Sequence, residues 1–87
     1  MELDAIIGEL RSFIRERFKV AENDPDFNDD VHLFDYGYVD SFGAVELIAF
    51  VREKYSVEIT ASDLVAFPLN TVREIATFAV KRLNGEI

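Results

Sequence analysis

The chain has 87 residues, 49% of them hydrophobic, which suits one domain with a single modest core rather than a disordered chain. It contains no cysteine, so disulfides, thiolate zinc sites and a cysteine nucleophile are excluded together. Nine basic against 17 acidic residues give a formal charge of −8, a surface that repels nucleic acid and anionic lipid and attracts basic protein patches.

Along the chain, Leu3, Ile6, Ile7, Leu10, Phe13, Ile14 and Phe18 recur at i, i+3, i+4 and i+7, which predicts an amphipathic first helix. Asp4 near its start and Lys19 near its end suit the helix dipole. Asp4, Glu9, Arg11 and Arg15 interrupt every apolar run in this region, so neither a signal peptide nor a membrane span is expected. A cytoplasmic location follows as the expectation. The next stretch, "AENDPDFNDD", reads as loop. Val31, Leu33 and Phe34 are too few for a helix and are expected to pin that loop to the core, with Gly37 supplying a positive φ.

A second helix is predicted from Ser41 to Tyr55. Ala44, Leu47, Ile48, Val51 and Tyr55 fall on one side of it; Phe42, Val45 and Ala49 fall nearly opposite, beside Glu46 and Glu53. One strip can face the core. The other is either open to a partner or covered by a loop. Ser56 to Ile59 reads as a short extended link. Thr60 and Asp63 mark a helix start that Pro68 limits to one or two turns. Thr71 and Glu74 form a capping box for a last helix, with Val72, Ile75, Ala76, Ala79, Val80 and Leu83 as its buried stripe and Asn84–Gly85 as its stop. The fold class expected is all-α: three main helices, a short third one, a long first loop and no strands.

Catalytic chemistry has little to draw on. The one histidine, His32, sits in the acidic loop, where a solvated side chain is a commoner role than activating Ser41. No catalytic residues are assigned, and an enzyme is not expected. In the loop, Asp24, Asp26, Asn28 and Asp30 take the first, third, fifth and seventh positions of a calcium loop. Asp29 stands where such a loop needs glycine, however, and Asp35 is shorter than the glutamate that normally closes it. No specific metal site is assigned. Ser41 is either a helix cap or an attachment point. Asp40 caps as well or better, which frees Ser41 to point outward from the first helical position, where a phosphate ester would meet the positive end of the helix.

The run "LFDYGYVDSFGAVELI" resembles the modification site of acyl carrier proteins, in which a D-S pair followed by an apolar residue opens the second helix. The similarity extends over most of the chain, through the order and lengths of the helices. It implies an acyl-carrier-like four-helix bundle spanning residues 1–87 as a single domain. It also implies a freestanding carrier in which Ser41 bears a 4′-phosphopantetheine arm from coenzyme A, attached by a Mg²⁺-dependent phosphopantetheinyl transferase. Asp40 matches the adjacent acid used in the transfer, and Phe42, Val45, Glu46 and Ala49 fall where partner enzymes dock. The cargo would be a thioester, supplied by an adenylating acyl or aminoacyl ligase and passed to an acyltransferase or synthase, with the carrier acting as a monomer.

Some features depart from the fatty-acid type. Two residues, Tyr38 and Val39, separate Gly37 from Asp40, Gly43 replaces an acid, and Arg52 and Lys54 interrupt an acidic run. The wider gap, D-S-x-G and Asn70–Thr71 are similar to D-alanyl carrier proteins. A helical interaction module without a prosthetic group and a calcium-responsive helical domain are the competing readings.

Overall fold

The structure is a computed structural model that describes residues 2–87; Met1, the first residue of the expected domain, lies outside them. Four helices follow one another: α1 (Leu3–Arg17), α2 (Ser41–Tyr55), α3 (Ala61–Ala66) and α4 (Val72–Leu83). Among the described residues there is no strand. The all-α expectation holds.

The core forms where the apolar stripes of the three longer helices converge. Ile6, Leu10 and Ile14 of α1 are fully buried, and they meet Val72, Ile75, Ala76 and Ala79 of α4 and Leu47 and Val51 of α2. α1 packs along α4. The stripe of α4 differs from the expected one at two positions. Phe78 is buried, its ring edge-on to Phe67 at 5.3 Å and covered by the Arg82 guanidinium, whereas Leu83 is 38% exposed. Residues 84–87 are all exposed, so nothing folds over the last turn to cover Leu83.

The long connection from α1 to α2 has no helix of its own, yet it belongs to the core. Phe27, Val31, Leu33 and Val39 are buried. Burying four such side chains contributes about 1.5–3 kcal/mol each. The Arg11–Asp29 and Arg73–Asp30 ion pairs, exposed enough to be screened by solvent, set the path of the loop more than they hold it down. Backbone bonds complete the attachment: Leu33 N–H donates to Asn70 C=O at 2.9 Å, and Arg73 N–H to Asp29 C=O at 3.0 Å.

The helix ends show how the local chemistry was realised. Ser56 is not the start of an extended link. It caps α2 in the left-handed region at φ 57°, its N–H bonded to Arg52 C=O. Asn84 caps α4 and Gly85 follows at φ 76°, as the stop signal predicts. In α4 only half of the expected capping box forms. Thr71 Oγ1 accepts from Glu74 N–H, but the Glu74 carboxylate accepts from Asn70 N–H, one residue farther back. The box at α3 closes fully, because Asp63, one methylene shorter, bonds Thr60 N–H at 2.9 Å.

Asp63 also receives the Arg82 guanidinium at 2.9 Å, tying α3 to α4. The Thr60 backbone bond first, and Arg82 second, hold its carboxyl below the usual value of 3.8. A carboxyl whose folded pKa is depressed adds stability that is complete above the ordinary carboxylate range and is lost as pH falls through the folded value. Urea denaturation is therefore expected to lose midpoint as pH drops below about 4, and Asp63→Asn to flatten that acid limb, compared at matched ionic strength.

Candidate functional site: the N-terminus of helix α2

The turn that launches α2 is built from backbone bonds onto Leu33. Its carbonyl accepts both Tyr38 N–H at 2.9 Å and Val39 N–H at 3.1 Å. Gly37 reverses the chain at φ 76°, a conformation open to glycine without strain, and its N–H bonds Phe34 C=O. The two residues that widen the gap before Asp40 both have work to do. Tyr38 donates its hydroxyl to Asp24 at 3.0 Å and sets its ring edge-on to Phe27 at 5.2 Å, while Val39 is buried. Burial and the Asp24 carboxylate together push the Tyr38 phenol up to about 12.

Asp40 is the N-cap. Its backbone is extended, its Oδ1 accepts Gly43 N–H at 2.8 Å and its carbonyl accepts Ala44 N–H at 2.8 Å. Ser41 is thereby the first residue of a 15-residue helix, exposed, with the capping duty already taken. Its neighbourhood is apolar and open. Phe42 is 82% exposed and Val45 67%, so no loop covers that strip. Ala49 is half-buried. Glu46 is half-buried too, and is ion-paired with Arg17 at the end of α1.

α3 lies by the other strip of α2. Leu64 and Val65 are exposed, and Leu64 lines an apolar cavity of about 230 Å³ with Ala44, Ile48 and Val51 of α2 and Ile59 and Ile75 beyond. Phe50 takes no part in that lining. Its ring stacks on Phe13 at 4.1 Å, between α2 and α1.

The two other candidate chemistries do not assemble. His32 Nδ1 accepts Asp35 N–H at 3.0 Å, a local turn contact. In the acidic loop, Asp29 and Asp30 turn to Arg11 and Arg73, and Asp24 to Tyr38 and the Asp26 N–H. The calcium-loop spacing does not converge, and among the described residues no group of three or more acids or histidines could hold a metal ion.

A family model, the phosphopantetheine attachment site, matches residues 8–79, which take in most of α1, the loop, α2, α3 and most of α4. The chain belongs to that family. Comparison with curated proteins finds no match. Membership makes this a carrier domain of the acyl carrier protein type, with 4′-phosphopantetheine as its prosthetic group. The α2 terminus suits such a group. It offers an exposed hydroxyl, and the first N–H groups of a helix attract an anionic phosphate. No helix among the described residues is long and apolar enough to cross a membrane.

Two features were not anticipated: the Arg17–Glu46 pair and the exposed side chains of α3. A signal for the second was present, since a helix cut short by Pro68 can bury only one face and "DLVA" offers apolar residues on two. Arg17 and Glu46 lie on different helices and carry no local signature of their pairing.

The capping geometry has a measurable consequence. Asp40→Ala is expected to cost about 1 kcal/mol of unfolding free energy, whereas Asp40→Asn, which keeps an acceptor for Gly43 N–H, stays within about 0.5 kcal/mol, both read by urea denaturation.

Proposed function

We propose that this is a carrier whose 4′-phosphopantetheine arm is attached to Ser41, and that it presents a thioester-bound acyl or aminoacyl cargo to partner enzymes. The observation that carries the reading is the division of labour at the start of α2. Asp40 caps the helix, so the Ser41 hydroxyl stands exposed and uncommitted at the end of the helix dipole. Ser12, Ser56 and Ser62 are exposed as well. Ser12 lies inside α1, Ser56 occupies a left-handed cap and Ser62 sits in a helix of only six residues. Ser41 alone adjoins the uncovered Phe42 and Val45.

When bound, the arm supplies a terminal thiol that holds the cargo as a thioester. The chain's own contributions are the anchoring oxygen and the surface around it. Asp40, beside that oxygen and only partly spent on the cap, leaves one carboxylate oxygen for the Mg²⁺ or a basic group of the transferase. Phe42, Val45 and Ala49 form the docking strip. Glu46, partnered by Arg17, flanks the strip as a neutralised pair. The single carrier domain spans residues 1–87. Its partners on this reading are a phosphopantetheinyl transferase, an adenylating ligase, and an acyltransferase or synthase.

An aminoacyl cargo of the D-alanyl kind is supported by the Tyr38–Val39 gap, by Gly43 and by the mostly apolar docking strip. The cavity beside Ile48 and Leu64 favours a second reading, an apolar acyl chain, because an ammonium group would lose its hydration there without gaining a partner.

Incubation with coenzyme A, Mg²⁺ and a broad-specificity transferase is expected to add one arm, seen by intact mass, and Ser41→Ala to abolish it with the fold intact. Asp40→Asn, which keeps the cap, is expected to slow the addition at least ~10-fold if the carboxylate serves the transfer. An unmodified chain beside a modified control carrier would leave the interaction module as the better reading.

Docking through the apolar strip has its own signature. Phe42→Ala is expected to raise the KM of the transferase roughly 10-fold, as losing a buried aromatic contact does. Glu46→Gln and a rise from about 0.05 to 0.5 M salt are expected to change it by less than ~3-fold. Strong salt dependence would show that the acidic surface governs docking instead.

A further inference from the structure

Gly43 is the third residue of α2, and its backbone does not need glycine, because its φ lies outside the left-handed region. A glycine inside a helix costs about 1 kcal/mol relative to alanine, so its presence calls for a reason. The reason is behind it. A Cβ at Gly43 would lie 2.7 Å from Phe18 Cε1, 3.1 Å from Phe18 Cζ and 3.0 Å from Val39 Cγ1. The first leaves no room for a carbon atom, and the other two are tighter than ordinary van der Waals contact. The ring that closes α1 therefore packs directly onto the backbone of the turn that carries Ser41.

Phe18 is half-buried and has ring neighbours of its own. Its ring stands edge-on to Phe13 at 6.1 Å, Phe13 is stacked on Phe50 at 4.1 Å, and Phe50 meets Tyr55 edge-on at 6.2 Å. Tyr55 is fixed in turn by its hydroxyl bond to Glu9. Four aromatic rings thus form a rigid row between α1 and α2, and Gly43 lies at its end. Farther along α2, Leu47 and Val51 are sunk in the core. The part of α2 with freedom to move is its first turn, from the Asp40 cap to Gly43.

We propose that Phe18 and Gly43 are positioning residues for the Ser41 hydroxyl: their contact fixes the first turn of α2 relative to the Val45–Ala49 part of the docking strip, and so sets where a docked transferase finds the oxygen. The proposal rests on the reading of Ser41 as the attachment residue. A side chain at Gly43 displaces that turn by roughly 0.7 Å before ordinary van der Waals contact is restored. Misplacing a reacting group by about 1 Å can cost as much as ~100-fold in rate.

The test compares arm addition by initial rates, well below the unfolding temperature, for wild type, Gly43→Ala and Gly43→Ala combined with Phe18→Leu. Gly43→Ala is expected to lower kcat ~10- to 100-fold and leave KM within ~3-fold, because Val45 and Ala49, farther along α2, stay where they are. The double variant, in which the smaller Leu makes room for the new methyl, is expected to recover to within ~5-fold of wild type, a coupling that independent sites do not show. The amide resonances of Ser41 and Phe42 should shift in the single variant and return in the double. A Gly43→Ala chain loaded at the wild-type rate overturns the proposal. So does a loss that merely follows the unfolded fraction, or one that Phe18→Leu fails to relieve. Wild-type protein that takes up no arm, or Ser41→Ala protein that still does, overturns the attachment reading itself, which separates the two failures.

Discussion

The row of rings between α1 and α2 is the contact on which the geometry of the site depends. Most helix pairs of a small domain are held by aliphatic side chains that can adjust by a rotamer. Here Phe18, Phe13, Phe50 and Tyr55 meet edge-on and stacked along the interface, and flat rings in such arrangements have few alternative placements. The row transfers the position of α1, which is anchored on α4 through Ile6, Leu10 and Ile14, to the far side of the molecule where α2 begins. α2 needs that support, since the loop leading into it has no helix or sheet to brace it. Phe27, Val31, Leu33 and Val39 hold the loop from within, and the Phe18–Gly43 contact holds the helix that follows.

Asp40 and Ser41 divide a task that one residue performs at most helix starts. A serine cap would turn its oxygen back toward the helix N–H groups and withdraw it from solvent. Placing the carboxylate at the cap satisfies Gly43 N–H and leaves the hydroxyl facing outward. The arrangement carries an electrostatic cost, because the carboxylate opposes a second anion at the same helix end. The dipole returns part of it, at about 0.3–1 kcal/mol. A neighbouring acid at that cost is understandable where the acid also takes part in installing the phosphate.

Local chemistry was the most legible level of the sequence. The span of α2, the positive φ of Gly37, the Thr60–Asp63 box and the stop at Asn84–Gly85 are set by residues within four positions of one another, and each stands as expected. The Asp40 cap and the exposure of Ser41 follow from the same kind of local argument, since the two residues are adjacent. What escaped was decided over longer distances. Phe78 displaces Leu83 from the buried stripe because Phe67 lies across from the one and nothing lies across from the other. Phe50 is placed by Phe13, a partner on another helix that no local pattern around Phe50 names. Gly43 looked like a family marker, while its physical reason, a ring from α1, is invisible from α2 alone.

The Arg17–Glu46 pair bears on which partners fit. A chain with a formal charge of −8 would be expected to recruit basic surfaces wherever it exposes acids. Beside Ser41 that attraction is largely cancelled from within. Glu46, an acid close to the anchoring turn on α2, already holds a guanidinium, and Arg52 and Lys54 add positive charge farther along the helix. What remains uncovered there is Phe42 and Val45. On the proposed reading, close recognition beside Ser41 falls to apolar contact. An enzyme with a strongly basic docking groove would have to break the Arg17–Glu46 pair before gaining its own, whereas one with an apolar groove gains contact at once. On the proposed reading, the surface beside Ser41 therefore favours enzymes whose docking groove is apolar.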